Sequence, residues 1–199
     1  NIYNTITIGT QVWMVENLKT TKYRDGTDIP NVTVDTIWES LNTGAYCNYS
    51  GYGRLYNWYA ISDAHNICPD GWHVPTDAEW TTLTTYLGGE SVAGGKLATD
   101  WNIIGTNESG FTALPGGHRS SNGSFYDIGY VAYWWSSTDD SKTEAWDRAL
   151  RYNYSYGYRY NANKSAGFSA RCIGDSIVTG TNNYQQNNGI KLNTSHNKI

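Results

Sequence analysis

From Asn4 to Val15 apolar and polar residues alternate around Ile6, Ile8, Val12 and Trp13, and Gly9-Thr10 interrupts the run. A period of two broken by a glycine predicts a hairpin or bent strand. Leu55 to Ile61 spaces its apolar residues as a short helix does. Thr76-Asp-Ala-Glu79 is a capping box, in which the threonine hydroxyl and the glutamate carboxylate each satisfy an amide of the other residue. Trp80, Leu83 and Leu87 then recur at helical spacing, and Gly88-Gly89 supplies the stop. Beyond Gly110 short aromatic runs separated by Gly, Ser and Asn predict strands at Phe111–Leu114, Tyr133–Ser137, Ala145–Tyr152, Tyr158–Asn161 and Phe168–Ile173. Strands, two helices, a loop-rich middle and more strands give an α+β class with the termini meeting in one antiparallel sheet.

The composition changes once along the chain. All the Trp and Cys lie within residues 1–174, whereas the stretch from Asp175 reads as an Asn/Gly-rich linker, residues 175–199, with Ile190 onward alternating weakly like the start of another strand or module. Leu, Ile, Val and Phe number only 34 of 199 residues, few enough to predict disorder if the net charge were high. It is only -4, and 9 Trp and 17 Tyr supply the missing apolar area. Each large aromatic side chain buries roughly 150–250 Å², so a folded, aromatic-cored domain is expected. A weakly acidic balance without a basic stripe argues against nucleic acid and anionic membrane surfaces. No apolar run approaches the ~20 residues of a membrane span. The chain begins at Asn1, which fits a removed signal peptide and equally a recombinant start.

The most informative stretch is a tyrosine ladder. Tyr152, Tyr154, Tyr156, Tyr158 and Tyr160 occupy every second position, with Arg151, Asn153, Ser155, Gly157, Arg159 and Asn161 around them. Ser155 and Gly157 predict a hairpin with its tip near Tyr154–Gly157. Rigid amphipathic rings beside Asn, Ser and Arg are the composition of binding loops, because they offer contact area at low entropic cost. Tyr154, Tyr156 and Tyr158 are expected to be exposed, and Tyr152 and Tyr160 to divide between core and surface.

Other chemistry is thin. His65, His73, His118 and His196 show no metal-ligand spacing, and His73, between Trp72 and Val74, is expected to be a packed, hydrogen-bonded core residue. No base can be placed beside a nucleophile, so no catalytic residue and no metal ligand is assigned. Gly116-Gly117-His118-Arg119 reads as a tight turn. Cys47, Cys68 and Cys172 allow at most one intramolecular disulfide and a remaining thiol.

Taken in order, Gly9-Thr-Gln-Val-Trp-Met-Val-Glu-Asn-Leu-Lys19, Tyr23-Arg-Asp-Gly-Thr-Asp-Ile-Pro30, Gly53-Arg-Leu-Tyr-Asn-Trp-Tyr-Ala60, Cys68-Pro-Asp-Gly-Trp-His-Val-Pro-Thr-Asp-Ala-Glu-Trp80, Gly110-Phe-Thr-Ala-Leu-Pro-Gly-Gly117, Trp134-Trp-Ser-Ser-Thr138 and Gly167-Phe-Ser-Ala-Arg-Cys172 resemble the Fibrobacter succinogenes major paralogous domain, found in Bacteroidetes and Fibrobacteres. The resemblance covers almost all of residues 1–174. That family is similar to the formylglycine-generating enzymes, and the likeness implies a C-type-lectin-like α+β fold with two helices and a curled, mainly antiparallel sheet.

The enzymes of that group use a copper-binding cysteine pair in the segment before the closing strand, whereas Arg151 to Tyr160 contains no cysteine. The resemblance therefore implies no carried-over oxidase activity and no cofactor, although Asp139, Asp140 or Glu144 remain candidates for a structural calcium. In such a fold the preferred disulfide is Cys68 with Cys172; Cys47 with Cys68, or no pairing, stay open. The resulting expectation is a secreted or outer-surface recognition and adhesion domain. It would bind a glycan or a surface protein through Tyr152, Tyr154, Tyr156, Tyr158, Arg151 and Arg159, helped by Trp134, Trp135 or Arg119. A spacer or subunit of a bacterial surface assembly is the alternative. The tail resembles the linker before a sorting segment for type IX secretion, which would make the secretion machinery a further partner.

Overall fold

The computed structural model describes residues 1–101, 103–175 and 191–194. The chain is α+β, with more sheet than helix. Its strands are β1 (Ile2–Ile8), β2 (Gln11–Met14), β3 (Tyr46–Ser50), β4 (Gly53–Tyr56), β5 (Trp72–His73), β6 (His118–Arg119), β7 (Phe125–Tyr126), β8 (Val131–Asp139), β9 (Glu144–Arg151), β10 (Tyr158–Asn163), β11 (Ile173–Gly174) and β12 (Lys191–Thr194). Four helices, rather than the two expected, accompany them among the described residues: α1 (Asp35–Glu39), α2 (Trp58–Ile61), α3 (Asp77–Tyr86) and α4 (Glu90–Leu97). No helix among these residues is long and apolar enough to cross a membrane.

The hairpin of β1 and β2 turns at Gly9-Thr10, where Gly9 takes φ +62°, a left-handed value that costs glycine little. These strands belong to a five-stranded sheet ordered β12-β1-β2-β11-β5. Both ends of the chain meet there, but β12 runs parallel to β1 while the other pairs are antiparallel. Within the tail, residues 191–194 thus add an edge to the domain's own sheet, and residues 176–190 lie outside the described residues. A second sheet, ordered β10-β9-β8, carries the tyrosines.

Local chemistry sets the helix starts. Thr76 Oγ1 accepts from the Glu79 amide at 3.2 Å and the Thr76 amide donates to Glu79 Oε2 at 2.8 Å, so the capping box opens α3. Asn57 caps α2 by accepting from the Ala60 amide, which delays that helix to Trp58 and leaves Leu55 and Tyr56 in β4, paired with β3. The expected strand at Phe111–Leu114 is a loop that touches Ala98 through a single bridge at Ala113. The closing run Phe168–Ile173 is not one strand either. It passes between the sheets, with Phe168 bonded to Tyr56, Ser169 to Tyr133, Ala170 to Leu18 and Cys172 to Met14, so only Ile173–Gly174 forms a regular ladder.

The interior is aromatic, as the composition requires. Trp13, Trp80, Phe111 and Trp134 form a cluster with centroids 4.8–6.1 Å apart, tilted or edge-on. Such pairs add about 0.5–1.5 kcal/mol each beyond their buried area. His73 departs from its expected place in the core: its ring, 32% exposed, bridges Glu79 (Nε2 to Oε1, 2.9 Å) and Asp175 (Nδ1 to Oδ1, 2.5 Å). The Glu79 hydrogen bond raises the His73 pKa above its ordinary value. Although burial opposes it, hydrogen bonding from His73 and Thr76 brings the Glu79 carboxyl down to about 2.

Candidate site: a tyrosine strip on a pinned loop

β9 and β10 form an antiparallel hairpin in which Tyr158 faces Ala149 and Tyr160 faces Asp147. Residues 152–157 make the connection, and backbone bonds hold it on both sides. The Tyr152 amide donates to Tyr130 at 2.8 Å, the Ile103 amide to Tyr152 at 3.0 Å, and the Gly157 amide to Glu90 at 2.8 Å. Ser155 grips one turn of α4 at both ends: its carbonyl accepts from the Gly95 amide at 3.2 Å and its hydroxyl donates to the Ser91 carbonyl at 2.6 Å. Gly94 makes this possible, since a Cβ there would stand 2.3 Å from the Tyr156 carbonyl oxygen.

With its backbone held, the loop directs its rings outward. Tyr152, Tyr154, Tyr156 and Tyr160 are 39–46% exposed. Tyr158, expected in the open, is half-buried, because it lies between Tyr156 (5.5 Å, stacked) and Tyr160 (5.4 Å, stacked) and meets Tyr154 edge-on at 6.3 Å. Burial, then the neighbouring Tyr160, raises the Tyr158 phenol. The Arg151 guanidinium covers the stack from one side, 5.4 Å from the Tyr158 centroid and 6.0 Å from that of Tyr160. Tyr130 extends the strip by an edge contact with Tyr152 at 5.7 Å, and exposed Ile103 and Ile104 border it.

Four residues expected to help do not reach this surface. Arg159 follows strand alternation to the opposite face of β10, where it lies 3.3 Å over the Trp146 ring and forks onto Asp77 at 2.9–3.1 Å. Asp77 also holds Arg148 at 2.6 Å, and despite the opposing effect of burial these two guanidinium groups keep its carboxyl below the usual range. Trp135 and Trp134 are buried at 0% and 1% exposure, their indoles donating to the Tyr56 carbonyl and to Asn17. Arg119 is likewise sealed in, bonded to Val32, Thr33, Gly123 and Asp35.

Cys68 and Cys172 form a disulfide, and Cys47 is a free, buried thiol pushed up to about 11 by burial. Asp140 accepts from Asn161, Asp139 lies 3.6 Å from the Lys164 ammonium, and among the described residues no three His, Cys, Asp or Glu converge as a metal site. Two neighbours of the strip escaped the sequence reading, Tyr130 and Asp147. Asp147 was findable, since it shares a strand face with Ala145 and Ala149, where an acid is out of character.

Among the comparisons with known proteins, no curated protein and no solved structure matches the chain. The family model described as the Fibrobacter succinogenes major domain matches residues 6–174, which takes in β2 to β11, the disulfide and the whole tyrosine hairpin. The chain therefore belongs to the Fibrobacter succinogenes major domain family.

Proposed function

We propose that the chain is a non-catalytic recognition and adhesion domain, secreted or displayed on the outer cell surface, that binds glycan or surface protein through the strip Tyr152–Tyr160. The observation that carries this reading is a row of exposed phenols on a loop whose backbone is bonded to α4 and to the 103 and 130 segments. Rings fixed before the ligand arrives lose little freedom on binding, which is the main saving that preorganisation offers. Their hydroxyl edges supply hydrogen bonds and their faces stack, a pairing suited to sugars and to protein surfaces alike. The fold is taken as C-type-lectin-like, kin to the formylglycine-generating enzymes, with a display surface where those enzymes hold copper.

The test is a double variant, Tyr154→Ala with Tyr156→Ala, screened on a glycan array and in surface-protein pull-downs. Ligand capture should be lost while the melting temperature stays within about 3 °C, since exposed substitutions cost little stability. Capture at the wild-type level would remove the strip from consideration. A passive spacer or subunit of a surface assembly predicts rings covered by another chain or by the domain's own loops, and the exposure of four of the five in the single chain does not favour the second of these.

A further inference from the structure

Beneath the strip lies a group that the recognition reading does not use. Asp147 stands midway along β9 on the tyrosine face, directly across from Tyr160 on β10 and Trp135 on β8. It is 1% exposed, and its buried Oδ2 has no hydrogen-bond partner. The one cation beside it in sequence, Arg148, turns to the other face of the sheet and bonds Asp77. Tyr133, stacked on Phe168 at 4.9 Å, completes the surround, close enough for both Asp147 and Tyr160 to act on its phenol. Buried acceptors without donors are rare in folded proteins, and each calls for a cause.

We infer that Asp147 is the polar floor of the tyrosine strip and accepts a hydroxyl hydrogen bond from a neutral oligosaccharide, one ring of which rests on Tyr160. This rests on the recognition reading above. The charges around Tyr160 favour a neutral ligand over a charged one. A cationic ligand would meet the positive charge of Arg151, whose guanidinium lies 5.4 Å and 6.0 Å from the Tyr158 and Tyr160 centroids. An anionic ligand seated on Tyr160 would bring its charge against Asp147. A sugar avoids both: its C–H face lies on an electron-rich ring, and its hydroxyl can donate to a carboxylate or accept from a carboxylic acid. That tolerance suits a group which burial pushes up to about 7. Access is by way of Tyr160, which lies directly across from Asp147 on the edge strand of its sheet and is 39% exposed, whereas Trp135 on the other side is fully buried.

The full chain would be titrated with glucose-, mannose- and galactose-based hexasaccharides, and with the same backbones bearing a carboxylate or an amine. A neutral member should bind, Asp147→Ala should weaken it about tenfold or more, as loss of a hydrogen bond to a buried group does, and Asp147→Asn, which keeps an acceptor oxygen, should weaken it less. Because Asp147→Ala opens a small void, the wild-type side-chain carboxyl would also be followed by carbon-13 NMR, and its resonance should move on sugar addition. Unchanged affinity in Asp147→Ala, a still resonance, binding of charged members only, or binding of none would each overturn the inference. If the Tyr154/Tyr156 variant loses capture while Asp147→Ala keeps it, the strip stands and only its floor is refuted.

Discussion

Arg171 and Asp147 are both charged side chains taken into the interior, and their surroundings treat them oppositely. Arg171 is wholly buried, and burial lowers its pKa to about 9, yet it donates to the Phe111 and Thr112 carbonyls and to Asn17, with the Phe111 ring 3.9 Å away. It therefore stays charged at neutral pH. Asp147 has no such donors, and burial, only weakly opposed by Arg148, raises it to about 7. An acid with a raised folded pKa is held protonated by the fold between its unfolded value and its folded one, so the unfolded chain binds fewer protons in that window and stability falls as pH rises through it. Below about pH 4 both states are protonated and no penalty exists; above about 7 the penalty is complete. Asp147→Asn should therefore melt at the same temperature as the parent at pH 4 and above it at pH 8, by calorimetry across that range. A gap that does not widen with pH would show the carboxyl to be solvated after all.

At the scale of elements, what could be read in advance was what is encoded locally. The capping box of α3 and the glycine turn of β1 and β2 are fixed by neighbours in sequence, and both formed where the pattern placed them. The hairpin of β9 and β10 was equally legible, from the Ser155 and Gly157 that interrupt the period-two tyrosines. Helix α4 was not, since Glu-Ser-Val-Ala-Gly-Gly-Lys-Leu contains two residues that disfavour helix, and what holds it is tertiary: Ala93 and Leu97 are buried in the core and the 152–157 loop docks against it. The closing segment was misread because its partners change from residue to residue, a property of the tertiary fold alone. Arg159 was misassigned for a different reason: alternation along β10 already sent it away from Tyr158 and Tyr160, whereas composition alone had grouped them. The seat of the loop gives a sharp test. In a plain helix Gly→Ala gains about 0.5–1 kcal/mol, but at Gly94 the added methyl meets backbone at 2.3 Å and forced overpacking costs about 1–3 kcal/mol. Overpacking wins, so Gly94→Ala should lower the melting temperature and impair ligand capture together, read by calorimetry and by the array used for the tyrosine variants.

Over the whole molecule, one covalent link ties these parts together. The bond between Cys68 and Cys172 spans 104 residues, which include α3, α4 and all of the tyrosine hairpin. Closing a loop of that length removes unfolded-state freedom worth about 4–5 kcal/mol in the chain-entropy account, with measured losses of about 2–5 kcal/mol when such a bond is removed. Cys68→Ser with Cys172→Ser should lower the melting temperature markedly, as followed by circular dichroism. A shift within error would mean that sheet pairing alone keeps the closing segment in place. In the folded protein, though, the strip depends on something subtler than this bond. The loop is mounted through its amides, its carbonyls and the small side chain of Ser155, none of which belongs to a tyrosine ring. The identity of the rings is therefore nearly uncoupled from the integrity of the fold, and under the recognition reading proposed above a lineage built on this domain could trade one target for another without ever passing through a chain that fails to assemble.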